Sequence, residues 1–290
     1  MKKVFLKVSS LYFVLNILFS GLTTGRIVSV MPLETRRDKR ESNPDTEYDY
    51  DYDDTEDNPD FDEMFPELDG AEVDFAPMPQ KLVLNLNVYL DKDWYTAFNL
   101  AGNIIATFIL KQASLLLAHD SLTTKIELVY HSNKFYNSSQ HLVPSRKAFN
   151  ELLPQELIGP DSDDEGHPAA HLYLSAGPKT KILGMGKIYG MCTNSTKQKP
   201  RIMVHVLEDH IRTAMTVAHE IGHLLGMEHD FKLGKRGRTC GKGEKSGKFL
   251  MNYGSPRHTF SDCSNEDFKD YYKRVVAKND KFCLAHGVVG

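Results

Sequence analysis

The chain has 290 residues, of which 41% are hydrophobic and 26% charged, with a net charge of −4 and a sequence pI near 6.3. That supply of apolar residues suffices for one or two folded domains, and no nucleic-acid partner is expected. Charge is unevenly spread: residues 1–40 carry +6, residues 41–80 hold 16 acidic residues and no Lys or Arg, and residues 81–290 carry +6.

The N-terminus reads as a targeting segment. Lys2 and Lys3 precede an apolar run centred on residues 11–22, and Thr23, Thr24 and Gly25 offer small residues for cleavage. The run has about twelve apolar residues, where a membrane span needs about 20. A signal peptide over 1–25 is therefore predicted rather than a stable membrane anchor, and the protein is expected outside the cell. Retention of this segment would instead make a membrane-tethered form. Secretion makes disulfides plausible for the four cysteines and opens two Asn-x-Ser/Thr sites, Asn137 and Asn194, to glycosylation.

Residues 26–80 form an acidic segment, predicted to be largely disordered. Arg37, Asp38, Lys39 and Arg40 resemble a proprotein-convertase site. An acidic run beside a basic domain suits electrostatic docking of a pro-segment onto its own enzyme, which would hold a zymogen closed. A solubilising run without a docking role has the same composition. Tyr48, Tyr50 and Tyr52, set among acids, are candidates for sulfation. No Cys precedes Cys192, so a thiolate from this segment cannot plug a metal site.

From residue 81 the apolar pattern is that of a folded domain, 81–290. Leu82, Leu84, Leu86, Val88 and Leu90 alternate, predicting a half-buried strand over 81–90. Trp94, Phe98, Ala101, Ile105 and Phe108 follow at helical spacing, predicting one long core helix over 91–119. Strand patterns recur at 125–130, 171–175, 182–189 and 201–207. The alternation predicts an α/β (α+β) fold: a mixed, mostly parallel five-stranded sheet with packed helices. A helix over 208–225 turns Met215, Ala218, Ile221 and Leu225 to the core. Beyond Gly226 the chain is rich in Gly and Lys, predicting a small irregular C-terminal subdomain. A last helix is expected to start near Ser264, capped by Ser264 with Asp267 three residues on.

The chemistry sits at residues 219–230, which read His-Glu-Ile-Gly-His-Leu-Leu-Gly-Met-Glu-His-Asp. Residues i and i+4 of a helix lie about 40° apart around the axis, so His219 and His223 share one face. Gly226 can take positive φ, stop the helix and return the chain so that His229 becomes a third ligand. Three protein ligands leave a fourth tetrahedral position open, the mark of a catalytic zinc site. Glu220, about 100° from His219, reaches a water at that position without ligating, which makes it the candidate general base. His167 and His171 share the spacing, but Pro168 and a strand-like sequence make a helical pair there implausible.

These residues resemble the zinc signature of the metzincin metallopeptidases, and Asp230 after the third His is similar to the adamalysin, or reprolysin, branch. Phe249-Leu250-Met251-Asn252-Tyr253 resembles the Met-turn beneath the metal, and Phe260-Ser261-Asp262-Cys263-Ser264 resembles the segment entering the last helix. The resemblance spans about residues 81–285. It implies one Zn2+ per chain and hydrolysis of peptide bonds, with Met251 supporting the ligand platform and Asp230 a structural carboxylate. It also implies the disulfides Cys192–Cys283 and Cys240–Cys263.

Four cysteines are too few for the disintegrin-like and Cys-rich modules of larger relatives, so a single-domain, monomeric form is expected. Tyr253 departs from many reprolysins; it either contributes a hydroxyl to the site or walls the substrate pocket. The residues after Cys283 lack the Asn of the family's calcium site, so calcium is not predicted. The expected partner is an extended polypeptide along the edge strand between Gly184 and Gly190. The short single-domain form resembles secreted arthropod enzymes of venom or saliva, which suggests a venom or salivary toxin. A non-enzymatic binder on the same scaffold would be expected to lose Glu220 or a ligand, and all four residues are present.

Overall fold

The computed structural model describes residues 77–135, 144–145, 148–152, 169–177, 180, 182–192, 200–233, 238–240, 247–253, 257–279 and 282–286. The expectations placed on 1–76, on Asn137 and on Asn194 lie outside the described residues.

β1 (Lys81–Leu90) is an inner strand of the sheet. Its even-numbered residues are fully buried and its odd-numbered ones half-buried, as the alternation predicts. It pairs in parallel with β2 (Lys125–Phe135) on one side and, from Asn85 onward, with β3 (Ala169–Ser175) on the other. β3 pairs in parallel with β5 (Arg201–His205), and the short β4 (Gly184–Gly186) runs antiparallel to β5. Five strands thus lie in the order β2-β1-β3-β5-β4, and a two-residue β6 (Ala285–His286) adds antiparallel to Leu82 and Val83. The sheet is mixed and mostly parallel, as expected.

One face of the sheet carries the main core. It is covered by the helix bearing the His pair, α3 (His210–Leu224), and by α2 (Gly102–Leu117), which packs beside α3. On the opposite face, Tyr173, Met185 and Met203 pack with Ala148 and Phe149 as a second, smaller cluster.

The long helix expected over 91–119 is broken. α1 (Lys92–Phe98) is capped by Asp91, whose side chain accepts from Trp94 N–H at 2.8 Å. A tight turn (Asn99–Ala101), entered with Asn99 at φ 48°, then leads into α2. A Cβ on Gly102 would lie 2.6 Å from the Trp94 indole nitrogen, so this glycine lets Trp94 bury completely. The break moves the buried stripe to Ala106, Ile109, Leu110, Ala113 and Leu117, leaving Phe108 40% exposed.

Other boundaries differ from expectation, and β2 runs on to Phe135 where 130 was expected. β4 is three residues long rather than spanning 182–189, because Tyr189 (φ 60°) turns away and gives its N–H to His223 O at 2.9 Å. The last helix, α4 (Asp262–Asn279), begins two residues before the predicted cap at Ser264. Ser261 does the capping, its Oγ accepting from Ser264 N–H at 3.1 Å.

The disulfides Cys192–Cys283 and Cys240–Cys263 are both formed, with Cα separations of 5.3 and 6.0 Å. The first ties the loop after β4 to the segment leading into β6. The second ties the loop after His229 to the start of α4.

Candidate metal centre

α3 starts where Asp209 accepts from Ile211 and Arg212 N–H at 3.0 and 3.2 Å, which satisfies two of the four donors a helix start leaves open. It ends at Gly226, with φ 86°. There Gly226 N–H donates to His223 O and Met227 N–H to Gly222 O, both at 2.9 Å. A Cβ at Gly226 would lie 2.8 Å from Tyr271 Cβ, so both the turn and the packing require glycine. The reversed chain then delivers His229 to the His219–His223 pair.

The three Nε2 atoms converge, separated by 3.0 Å (219–223), 3.2 Å (219–229) and 3.2 Å (223–229). All three residues are buried. His219 Nδ1 lies 2.7 Å from Leu250 O and His223 Nδ1 lies 2.8 Å from Met227 O. Carbonyl oxygens only accept, so both Nδ1 atoms must carry the proton. The Nε2 atoms of these two rings are then lone pairs facing one another at 3.0 Å, an arrangement that only a cation between them reconciles. A tetrahedral zinc with Zn–N of about 2.0–2.1 Å places its ligand nitrogens about 3.3 Å apart, close to what is found. The donor set fits zinc.

Electrostatics favour the same occupant. Burial holds His219 and His229 well below the usual imidazole range and brings His223 down to about 4, so all three are neutral imidazoles at neutral pH. The charge of Arg257 adds to this for His219 and His229.

Glu220 is buried on the same helix, and its Oε2 has no hydrogen-bond partner among the described residues. Burial pushes its carboxyl up to about 8, against which the Arg257 charge acts. A cation on the adjacent imidazoles pulls it back toward the ionised form. β4 presses on this carboxylate: a Cβ on Gly184 would lie 2.5 Å from Glu220 Oε1, and one on Gly186 3.1 Å from Oε2.

Beneath the rings lies Met251, fully buried under α3; a Cβ on Gly222 would sit 2.6 Å from its Sδ. Asp230 joins this floor to the rest of the lower half. Its N–H donates to Met251 O at 3.2 Å, its carbonyl accepts from Cys240 N–H at 2.7 Å, and its carboxylate accepts the Ser261 hydroxyl. Asp230, Cys240 and Cys263 also cluster, but the two sulfurs are bonded to each other, so this group is no second metal site. The Tyr253 ring packs edge-on against His229 at 4.9 Å and lies 6.3 Å from His219. His171, set aside as a ligand, faces the Tyr89 hydroxyl on the far side of the sheet at 3.1 Å.

Four contributors escaped sequence reasoning. Phe231 stacks on His229 at 4.9 Å. Tyr189 donates to Glu228 Oε1 at 2.9 Å, beside His229. Ser261 holds Asp230. Arg257, 2% exposed, donates to Leu250 O and Asn252 O. Phe231 lies two residues after His229, and Ser261 sits in the 260–264 segment quoted for the resemblance; Tyr189 and Arg257 carry no such local signal.

With this geometry in view, the chain's likenesses are specific. The reprolysin (M12B) family zinc metalloprotease profile matches residues 147–286. Snake venom metalloproteinase fibrolase of Macrovipera lebetinus is 33% identical over 160 residues, 54% of this chain and 70% of that protein. Snake venom metalloproteinase trimerelysin-2 of Protobothrops flavoviridis is 28% identical over 111 residues, 37% of this chain and 49% of that protein. Among solved structures, metalloproteinase-II from Bacteroides fragilis overlays with a TM-score of 0.46 at 18% identity, covering 68% of this chain and 55% of its own.

Proposed function

Given that the chain belongs to the reprolysin (M12B) family and is by class a zinc metalloendopeptidase, we propose that Glu220 is its general base and that it acts outside the cell on extended polypeptides. The observation that carries the reading is the convergence of three neutral imidazoles beside one buried carboxylate. His219, His223 and His229 would hold zinc through their Nε2 atoms, and the ion would supply a Lewis acid that brings the pKa of water down to about 7.

The chain's own residues do the rest. Glu220 accepts a proton from the attacking water on a carboxylate oxygen and returns it to the departing amine nitrogen; a C–O bond forms as the C–N bond breaks. No acyl-enzyme is required. Leu250 O and Met227 O hold the tautomers of His219 and His223. Met251 and Asp230 keep the floor in register.

Substrate pairs with the Gly184–Gly186 strand, which ends the sheet among the described residues. Strand addition satisfies main-chain groups whatever the side chains, which suits an endopeptidase. Its reach is short, since the N–H groups of Tyr189, Gly190 and Met191 are taken by His223 O, Lys187 O and Leu224 O. Tyr253 walls the pocket for the side chain after the cut.

The same reading takes residues 1–25 as a signal peptide and 26–80 as a pro-segment that docks on its own enzyme. Asn137 and Asn194 are then glycan sites. The protein is a secreted monomer and, in keeping with the names of its venom relatives, a toxin. The test is cleavage of a denatured protein substrate by the purified mature protein, with and without a chelator, beside Glu220→Ala. Loss of cleavage in both arms is expected; cleavage that survives both refutes the reading.

A further inference from the structure

The geometry points to Arg257 as a positioning residue of the metal centre, an inference that rests on the zinc reading and extends it to the turn beneath the metal. A guanidinium keeps its charge at any accessible pH, so full burial is penalised unless its donors are met. Arg257 turns one nitrogen, Nη1, to two main-chain oxygens. Its Nη1 donates to Leu250 O at 3.3 Å and to Asn252 O, the two carbonyls that flank Met251.

Leu250 O has a second task, since it accepts the Nδ1–H of His219 at 2.7 Å. A carbonyl oxygen has two lone pairs, so one atom couples the buried cation to a metal-ligating ring. Arg257 fixes where Leu250 O points. That oxygen in turn fixes the plane of His219 and keeps its proton on Nδ1, leaving Nε2 for the metal.

The rest of the turn is held by Leu250 N–H on Thr259 O at 2.7 Å and by Asp230 N–H on Met251 O at 3.2 Å. No cysteine lies between Cys240 and Cys263, so no disulfide reaches this turn. Arg257 supplies the cross-link by hydrogen bonds, reaching back from residue 257 to both sides of Met251.

The experiment measures zinc affinity at neutral pH by competition with a chromophoric chelator, using the whole protein. Wild type is compared with Arg257→Met, Arg257→Lys and His205→Asn, the last being a buried change on β5, outside the turn. Wild type that binds no zinc would overturn the functional reading itself; the variants test the inference alone. Removing a group that orients a metal ligand typically lowers affinity about 10- to 100-fold. Arg257→Met is expected in that range, Arg257→Lys between it and wild type, and His205→Asn at the wild-type value.

A histidine-detected nitrogen NMR spectrum gives a second readout. In Arg257→Met, the His219 Nδ1–H signal is expected to lose its hydrogen-bonded shift. Where Arg257→Met does not fold, Arg257→Lys carries the test. The inference is overturned if Arg257→Met, or failing that Arg257→Lys, binds zinc as wild type does, or if His205→Asn loses affinity to the same extent.

Discussion

Gly184 and Glu220 touch so closely that a single added carbon on Gly184 would stand 2.5 Å from Glu220 Oε1 and 2.7 Å from Thr216 Cγ2. The edge strand and the proposed base are therefore one packing unit. Gly184→Ala must push either the carboxylate or the strand away. General-base catalysis is worth about 10²–10⁴ in rate, so kcat should fall at least about tenfold, with zinc content unchanged. Steady-state kinetics beside metal analysis checks this; wild-type kcat in Gly184→Ala would contradict it.

His205 sets an acid-side slope on stability. It is buried, and burial lowers its pKa below the ordinary 6.5, with the charge of Asp91 acting the other way. A folded pKa below the unfolded one gives stability that is present above about pH 6.5 and lost as pH falls through the folded value. Asp91 runs opposite: burial raises its carboxyl, so its contribution is present below 3.8 and lost as pH rises through the raised value. In chelator, wild type should lose stability between pH 6.5 and 5 more steeply than His205→Asn. Equal slopes in urea denaturation would count against this.

The Cys240–Cys263 bridge closes a short loop, with a sequence separation of 23. In the chain-entropy model, replacing both cysteines by Ser removes about 3 kcal/mol. Because Cys240 N–H also bonds Asp230 O, the loss should appear with a lowered zinc affinity. Chemical denaturation and chelator competition on the double variant measure the two together.

Ser261 serves two partners, capping α4 and donating to the buried Asp230 carboxylate. Loss of a cap costs about 1 kcal/mol, and an under-satisfied buried acceptor about 1–3 kcal/mol. Ser261→Ala should therefore destabilise by about 2–4 kcal/mol, whereas Ser264→Ala, at the position the sequence suggested as cap, should do less. Comparing the two melting curves decides between the assignments.

How far the sequence reached depended on whether the deciding interaction was local. The spacing of His219, His223, Gly226 and His229 encodes helix, stop and return within eleven residues, so the convergence of the three imidazoles was legible. So was β1, where alternation reports burial directly. The break at Asn99 was not, because it is driven by Trp94 filling the space that Gly102 leaves, a contact between elements. Ser261 and Ser264 are equally good caps by type, and only Asp230, far off in sequence, selects the first. Arg257 lies in a stretch with no periodicity, and nothing near it signals that a charged side chain is buried there. The full extent of β4 was overread because the helix-end carbonyls that capture Tyr189 and Met191 are visible only in three dimensions.

The central claim is most directly tested by zinc titration of the purified, chelator-stripped protein, followed by calorimetry with His219→Ala, His223→Ala and His229→Ala alongside. One tightly bound ion per wild-type chain, with affinity collapsing in each of the three variants, is the predicted result. Wild type binding no zinc, or a variant binding it as tightly as wild type, would contradict it.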